Sequence, residues 1–294
     1  MQQMFTAVVV AFVLAGVLGA CGDDEPSTAP ATSTTAAATE PEAKPVSITG
    51  QDYAFDAAET IEGGLVEIEF TNAGKEVHFA GLAKIAEGKT FDDVKAVLTA
   101  PPSGAPPTGP PPFEEYAGVA TVDPGGVGNA TFNLPAGSYV WFCALPAPDG
   151  VPHTGKGMIR PVEVTEGIAS EVPQAVSSLT ATDFALAGAP PAEAGTSVVK
   201  IRNQGKQIHE VNLVKLMPGK KLEDLVAWFK APAGPPPGNF LSGVAVKPGE
   251  EGTTEFELEA GTSYTLICGI PDSLAGDFVP HIVKGMYTAA FVAS

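Results

Sequence analysis

The sequence predicts an all-β protein made of two tandem β-sandwich units, and three observations predict it. Gly 33 and Pro 28 together make up about a fifth of the 294 residues, too much for a helical bundle and typical of short strands joined by tight turns. Val66, Ile68 and Phe70 alternate with Glu67 and Glu69, the period-two pattern of a half-buried strand. The chain also repeats itself: Thr71-Asn72-Ala73-Gly74-Lys75-Glu76-Val77-His78 recurs as Arg202-Asn203-Gln204-Gly205-Lys206-Gln207-Ile208-His209. A repeat this long marks a domain duplication rather than a solenoid of small units.

Taken in order, the chain opens on an export signal. Residues 1–20 carry no charge and hold the apolar run Ala7 to Leu18, which ends Leu18-Gly19-Ala20-Cys21. Small residues before a cysteine, directly after such a run, resemble a bacterial lipobox, which implies a signal peptide cut before an acylated Cys21. An uncleaved membrane helix or an ordinary cleavable signal are the alternatives. Residues 21–45 are small, acidic and dotted with Pro, so they cannot bury enough apolar area to offset chain entropy. They read as a disordered spacer between the lipidated Cys21 and a folded body. The expected location is therefore outside the cytoplasm, anchored to the bacterial cell membrane (periplasm or cell surface) by its lipid.

The folded part divides into units 46–166 and 172–294, with a short joint at 167–171. In each, an early strand (Val66 to Phe70; Val199 and Ile201 alternating with Lys200 and Arg202) leads to the repeated turn and its His. A short helix follows, because Phe91, Val94 and Leu98, like Leu222, Leu225 and Phe229, keep helical spacing. Pro-rich loops come next, at 101–112 and 232–237. Pro124-Gly125 and Pro248-Gly249 then turn into matching strands, and Tyr139, Trp141 and Cys143 share one strand face, as do Tyr264, Leu266 and Cys268.

The scarce residues carry the chemistry. Cys143 is followed by nine residues, His153, four residues and Met158; Cys268 is followed by twelve residues, His281, four residues and Met286. With His78 or His209 upstream, the order His, Cys, His, Met stands twice, and beyond Cys21 it uses every His and Cys of the chain. Two imidazoles and a thiolate with a weak axial thioether make a mononuclear blue-copper site. Zinc gains little from Met, and hard cations want oxygen. The expected cofactor is copper, up to two type 1 ions. Met217 has Ala86 as its counterpart and reads as packing. A Cys143–Cys268 disulfide is the competing use of the thiols, disfavoured because equivalent positions of tandem units lie far apart.

Gly137-Ser138-Tyr139-Val140-Trp141-Phe142-Cys143, the turn before each first His, and the ending Val151-Pro152-His153-Thr154-Gly155-Lys156-Gly157-Met158 resemble the cupredoxins, the plastocyanin and azurin family. The ending is similar to the type 1 copper loop of copper nitrite reductases. The resemblance covers nearly all of 46–294. It implies a Greek-key sandwich in each half, electron transfer through copper, Met158 and Met286 as axial ligands, and His153 or His281 emerging at an apolar surface as the electron exit. Phe79 and Glu210 stand where cupredoxins often carry Asn after the first His. Phe142 and Ile267 fill the place where oxidases and reductases put a His beside the Cys, so no catalysis is expected.

Charge narrows the partners. With 16 Lys+Arg against 34 Asp+Glu and a net charge of −18, the chain does not suit nucleic acid; a basic redox partner protein fits better. No triad, paired-carboxylate motif or phosphate loop suggests a small-molecule substrate. Single-electron transfer is the leading function, with copper sequestration or delivery at the envelope, or a metal-free interaction module, as alternatives.

Overall fold

Alternating apolar residues put two sheets face to face, and the chain lays them down twice. The structure is a computed structural model that describes residues 42–100, 109–274 and 278–294. The expected signal peptide, Cys21 and most of the spacer, and the Pro-rich stretch 101–108, lie outside the described residues. The first half contains β1 (Lys44–Gln51), β2 (Ala54–Asp56), β3 (Thr60–Glu62), β4 (Gly64–Asn72), β5 (His78–Ile85), α1 (Phe91–Leu98), β6 (Phe113–Val122), β7 (Val127–Leu134), β8 (Gly137–Phe142) and β9 (Ile159–Thr165). The second contains β10 (Ser177–Thr182), β11 (Ala185–Ala187), β12 (Gly195–Asn203), β13 (His209–Leu216), α2 (Leu222–Lys230), β14 (Gly238–Val246), β15 (Glu251–Leu258), β16 (Ser263–Ile267) and β17 (Phe291–Val292).

The alternation read from the sequence is the alternation of burial. Val66, Ile68 and Phe70 on β4 are buried while Glu67 and Glu69 face solvent. Strand β1 runs parallel to β4, as β10 does to β12. Helix α1 starts on a reciprocal cap, and α2 keeps one half of it. The Asp93 amide donates to Thr90 Oγ1 (3.2 Å) and the Thr90 amide to Asp93 Oδ2 (2.8 Å); at α2 the Lys221 amide donates to Asp224 Oδ2. Such caps satisfy amides that the first helical turn leaves open. Among the described residues no helix is long and apolar enough to cross a membrane.

The two halves share both sheets. One sheet runs β11-β10-β12-β15-β7-β4-β1-β2 and the other β17-β16-β13-β14-β6-β5-β8-β9-β3. The seam is the pair β15–β7 in the first, with Gly252 opposite Phe132, and the pair β14–β6 in the second, with Val244 opposite Val119. Side chains lock it: Asn129 Nδ2 donates to the Glu255 carbonyl, the Glu255 amide returns to Asn129 Oδ1, and Asn212 Nδ2 donates to the Thr121 carbonyl. Gly243 is required beside this seam, because a β-carbon there would lie 2.2 Å from the Val211 carbonyl oxygen.

One apolar core runs through both halves and includes Cys143 and Cys268. Tyr139 anchors the turn before β8 by donating its hydroxyl to the Pro135 carbonyl at 2.9 Å. Tyr264, with one more residue between it and its glycine, instead accepts from the Glu259 amide at 3.0 Å. Phe132, fully buried on the seam strand β7, tests the shared core. Its replacement by Ala should cost about 3–5 kcal/mol, read as a fall in the denaturant midpoint of the metal-free protein.

Candidate metal centre

Both ligand sets are carried to their places by strand ends. His78 opens β5 and Cys143 directly follows β8, its neighbour in the sheet; His209 opens β13 and Cys268 directly follows β16. The second His of each set opens a single 3₁₀ turn, His153–Lys156 or His281–Lys284. The turn closes on Gly157 or Gly285, whose φ values of 114° and 107° favour glycine. The methionine that follows binds back on both sides. The Met158 amide donates to the His153 carbonyl and the Met158 carbonyl accepts from the Cys143 amide; Met286 does the same with His281 and Cys268. A Cys–His–Met loop is thus closed by main-chain bonds before any metal enters.

The donor atoms converge. In the first half His78 Nδ1 lies 3.0 Å from His153 Nδ1, and Cys143 Sγ lies 4.0 Å from the former and 3.4 Å from the latter. In the second half His209 Nδ1 and His281 Nδ1 are 3.2 Å apart, with Cys268 Sγ at 4.0 and 3.3 Å. All six residues are buried, and so are Met158 and Met286. Each triangle is acute, and the point inside it that is equidistant from the three donors lies about 2.1 Å from each, against roughly 2.0–2.1 Å for imidazole–metal and 2.3 Å for thiolate–metal bonds. Both groups fit a type 1 copper site.

Carboxylates outside the triangle turn the rings. His78 Nε2 donates to Asp52 Oδ1 at 2.8 Å, and His209 Nε2 to Asp183 Oδ1 at 2.6 Å. His153 Nε2 donates to Glu76 Oε2 at 2.9 Å, and Glu76 Oε1 accepts the Tyr53 hydroxyl at 2.7 Å. With its proton held on Nε2, each of these rings presents a bare Nδ1 lone pair inward, the tautomer that ligates metal. Lone pairs 3.0 Å apart repel, and a cation between them removes the repulsion.

Burial sets the protonation of the thiols. Burial pushes the Cys143 thiol up to about 12, against the pull of backbone amides. Burial and then the Glu210 carboxylate raise Cys268 well above the usual range. Burial lowers His153, with Glu76 opposing, and lowers His209, with Asp183 opposing; burial and the neighbouring His209 bring His281 down to about 4. Asp52 is held low although burial opposes its ionisation, because His78 and the Lys75 and Glu76 amides donate to it.

The turn before each first His is built around the Asp–His pair. Asn72 accepts from the Gly74 amide and donates to the Glu76 and Val122 carbonyls; Asn203 does the same with Gly205, Gln207 and Val246. A β-carbon on Gly74 would sit 2.4 Å from Asp52 Oδ1 and 2.7 Å from His78 Nε2, and Gly205 is crowded alike by His209 and Asp183. Sequence reasoning missed Asp52, Asp183 and Glu76. Their signal was present: each Asp, followed by an aromatic residue, stands 26 residues before its His.

Of the expected site residues the structure gathers His78, Cys143 and His153 in one group and His209, Cys268 and His281 in another. Met158 and Met286 are buried in the same apolar core as Cys143 and Cys268. Cys21 is outside the described residues. Cys143 and Cys268 are both free thiols. The expectation that His153 or His281 emerges at a surface is corrected, since both are buried: His153 lies under Tyr53 and Glu76, and His281 under Phe184.

No protein-family model and no curated protein sequence matches the chain. Solved structures do. Auracyanin A, described as a "blue" copper protein from Chloroflexus aurantiacus, is 23% identical over 42% of this chain and 100% of its own, with a TM-score of 0.29. A multicopper oxidase is 15% identical over 85% of this chain and 88% of its own, with a TM-score of 0.24. A copper-containing nitrite reductase from Thermus scotoductus is 12% identical over 85% of this chain and 61% of its own, with a TM-score of 0.22. The last two are enzymes, which corrects the expectation that the protein is not one. Phe142 and Ile267 beside the cysteines speak only to one way of wiring a second copper.

Occupation of a centre must displace the thiol proton. Because the Cys143 thiol stays protonated up to about 12, one proton leaves per ion bound at the first centre. Its apparent Kd for copper should therefore fall about tenfold per pH unit between about pH 7 and 9. Competition with a chelator of known affinity, run on the Cys268→Ser chain, measures this.

Proposed function

We propose that the protein carries single electrons on type 1 copper, up to two ions, outside the cytoplasm and tethered to the membrane through a lipid on Cys21. The observation that carries the reading is the paired convergence of two Nδ1 atoms and one Sγ on a point about 2.1 Å from each. In each half the Cys thiolate, the two imidazoles and the Met158 or Met286 thioether would hold the ion, the thiolate supplying the electronic coupling and the weakly bound thioether tuning the potential. Copper would contribute two oxidation states one electron apart.

The chain's own residues make that exchange cheap in reorganisation. Asp52, Asp183 and Glu76 hold three of the four rings by hydrogen bonds outside the donor triangle, so those rings need not turn when charge changes. The cysteine main chain is pinned to the Met158 or Met286 carbonyl. Complete burial of all the donors excludes water and favours retention of the ion over delivery. The net charge of −18 suits a basic redox partner.

The purified copper-loaded chain should show the intense thiolate-to-copper absorption and a reversible one-electron wave; Cys143→Ser and Cys268→Ser should each remove one centre's share. Copper that binds but never cycles would leave sequestration as the function. In cells, Cys21→Ser should move the protein from the membrane fraction to the soluble one, and unchanged fractionation would refute the lipid tether.

A further inference from the structure

The two halves match at every donor and differ in the outer contact of the downstream His ring. His153 Nε2 donates to Glu76, which Tyr53 holds from its other oxygen. In the second half Gln207 and Phe184 stand at the positions of Glu76 and Tyr53. Gln207 points its amide elsewhere: Nε2 donates to Asp272 Oδ1 at 3.2 Å and Oε1 accepts the Ser273 amide at 3.2 Å. The Phe184 ring packs on His281 at 4.9 Å between centroids and offers no acceptor. His281 Nε2 is buried and has no hydrogen-bond partner among the described residues. Glu210, the nearby acid that the first half lacks, is turned to the Gly269 amide at 2.8 Å.

We infer that Glu76 is a positioning residue for the first centre and that the two centres bind copper unequally, the first more tightly. This rests on the reading that both hold copper. Ligation through Nδ1 forces the remaining ring proton onto Nε2. At His153 that proton meets a carboxylate, which fixes the tautomer and makes the imidazole a better donor; at His281 it meets no acceptor among the described residues, and a buried unmet N–H opposes the ligating form. Loss of such an outer partner weakens metal binding about 10–100-fold, and the two centres should differ by that factor.

The test is an anaerobic titration of the full chain with copper(I) against a chromophoric copper(I) chelator. The Cys268→Ser chain, keeping only the first centre, should hold copper about 10–100-fold more tightly than the Cys143→Ser chain. Adding Glu76→Gln to Cys268→Ser should erase most of that advantage and raise the first centre's reduction potential, because a neutral partner supports the oxidised ion less. A purely structural role for Glu76 would lower the melting temperature of the metal-free chain without moving the potential. Should a cysteine variant fail to fold, the unaltered chain should fill in two separate steps that Glu76→Gln merges. Equal affinities, a tighter second centre, or no response to Glu76→Gln would overturn the inference while leaving the copper reading intact. A chain that takes up no copper at either centre would overturn both.

Discussion

Everything at the two centres depends on one arrangement: two imidazole nitrogens and a thiol brought together in a buried core. Hydrogen bonds to Asp52, Asp183 and Glu76 keep the ring protons outside. In the first half the bare nitrogens therefore face one another at 3.0 Å; in the second only His209 is held this way, with His281 Nδ1 3.2 Å from it, and a buried thiol stands beside each pair. In the first half, where both rings are held with their protons outside, this arrangement is unfavourable for the metal-free protein and favourable for a soft cation. The surrounding loops resist its relaxation, since each 3₁₀ turn is closed by main-chain bonds from the methionine to both the His and the Cys. Fold energy is thus spent on holding the donors in the geometry of the loaded centre.

The shared sheets explain how a duplicated unit became one body. A sandwich half leaves edge strands with open amides and carbonyls, a liability in any β protein. Here β6 and β7 of the first half meet β14 and β15 of the second, so each copy covers edges of the other. The apolar core then continues across the seam. Duplication preserved the inner donors and let the outer contacts drift: Tyr53 and Glu76 stand opposite Phe184 and Gln207, and Phe79 opposite Glu210. Burial pushes the Glu210 carboxyl up to about 7, so the second core holds an acid where the first holds an aromatic ring.

Much of the fold was legible because its signals are local. The alternation over 66–70 is β4, the helical spacing of Phe91, Val94 and Leu98 is α1, and that of Leu222, Leu225 and Phe229 is α2. The inner donors were legible because His and Cys are rare enough for their repeat to stand out. The carboxylates were not: Asp and Glu are common, their chemistry has no spacing rule, and 26 residues of chain separate each Asp from its ring. The surface expectation for His153 and His281 failed for a related reason. Whether a ring tip is covered depends on Tyr53 and Phe184, which reach it from the distant turns after β1 and β10.

By itself the sequence determined the element types, the duplication and the identity of the atoms that can bind a soft metal, since side-chain chemistry and periodicity do not depend on what lies across the core. Tertiary structure alone decided that the halves join in common sheets, that both downstream rings are buried, and that His153 has an acceptor where His281 has none among the described residues. Those are facts of through-space distance between segments remote in the chain, and no local pattern encodes them.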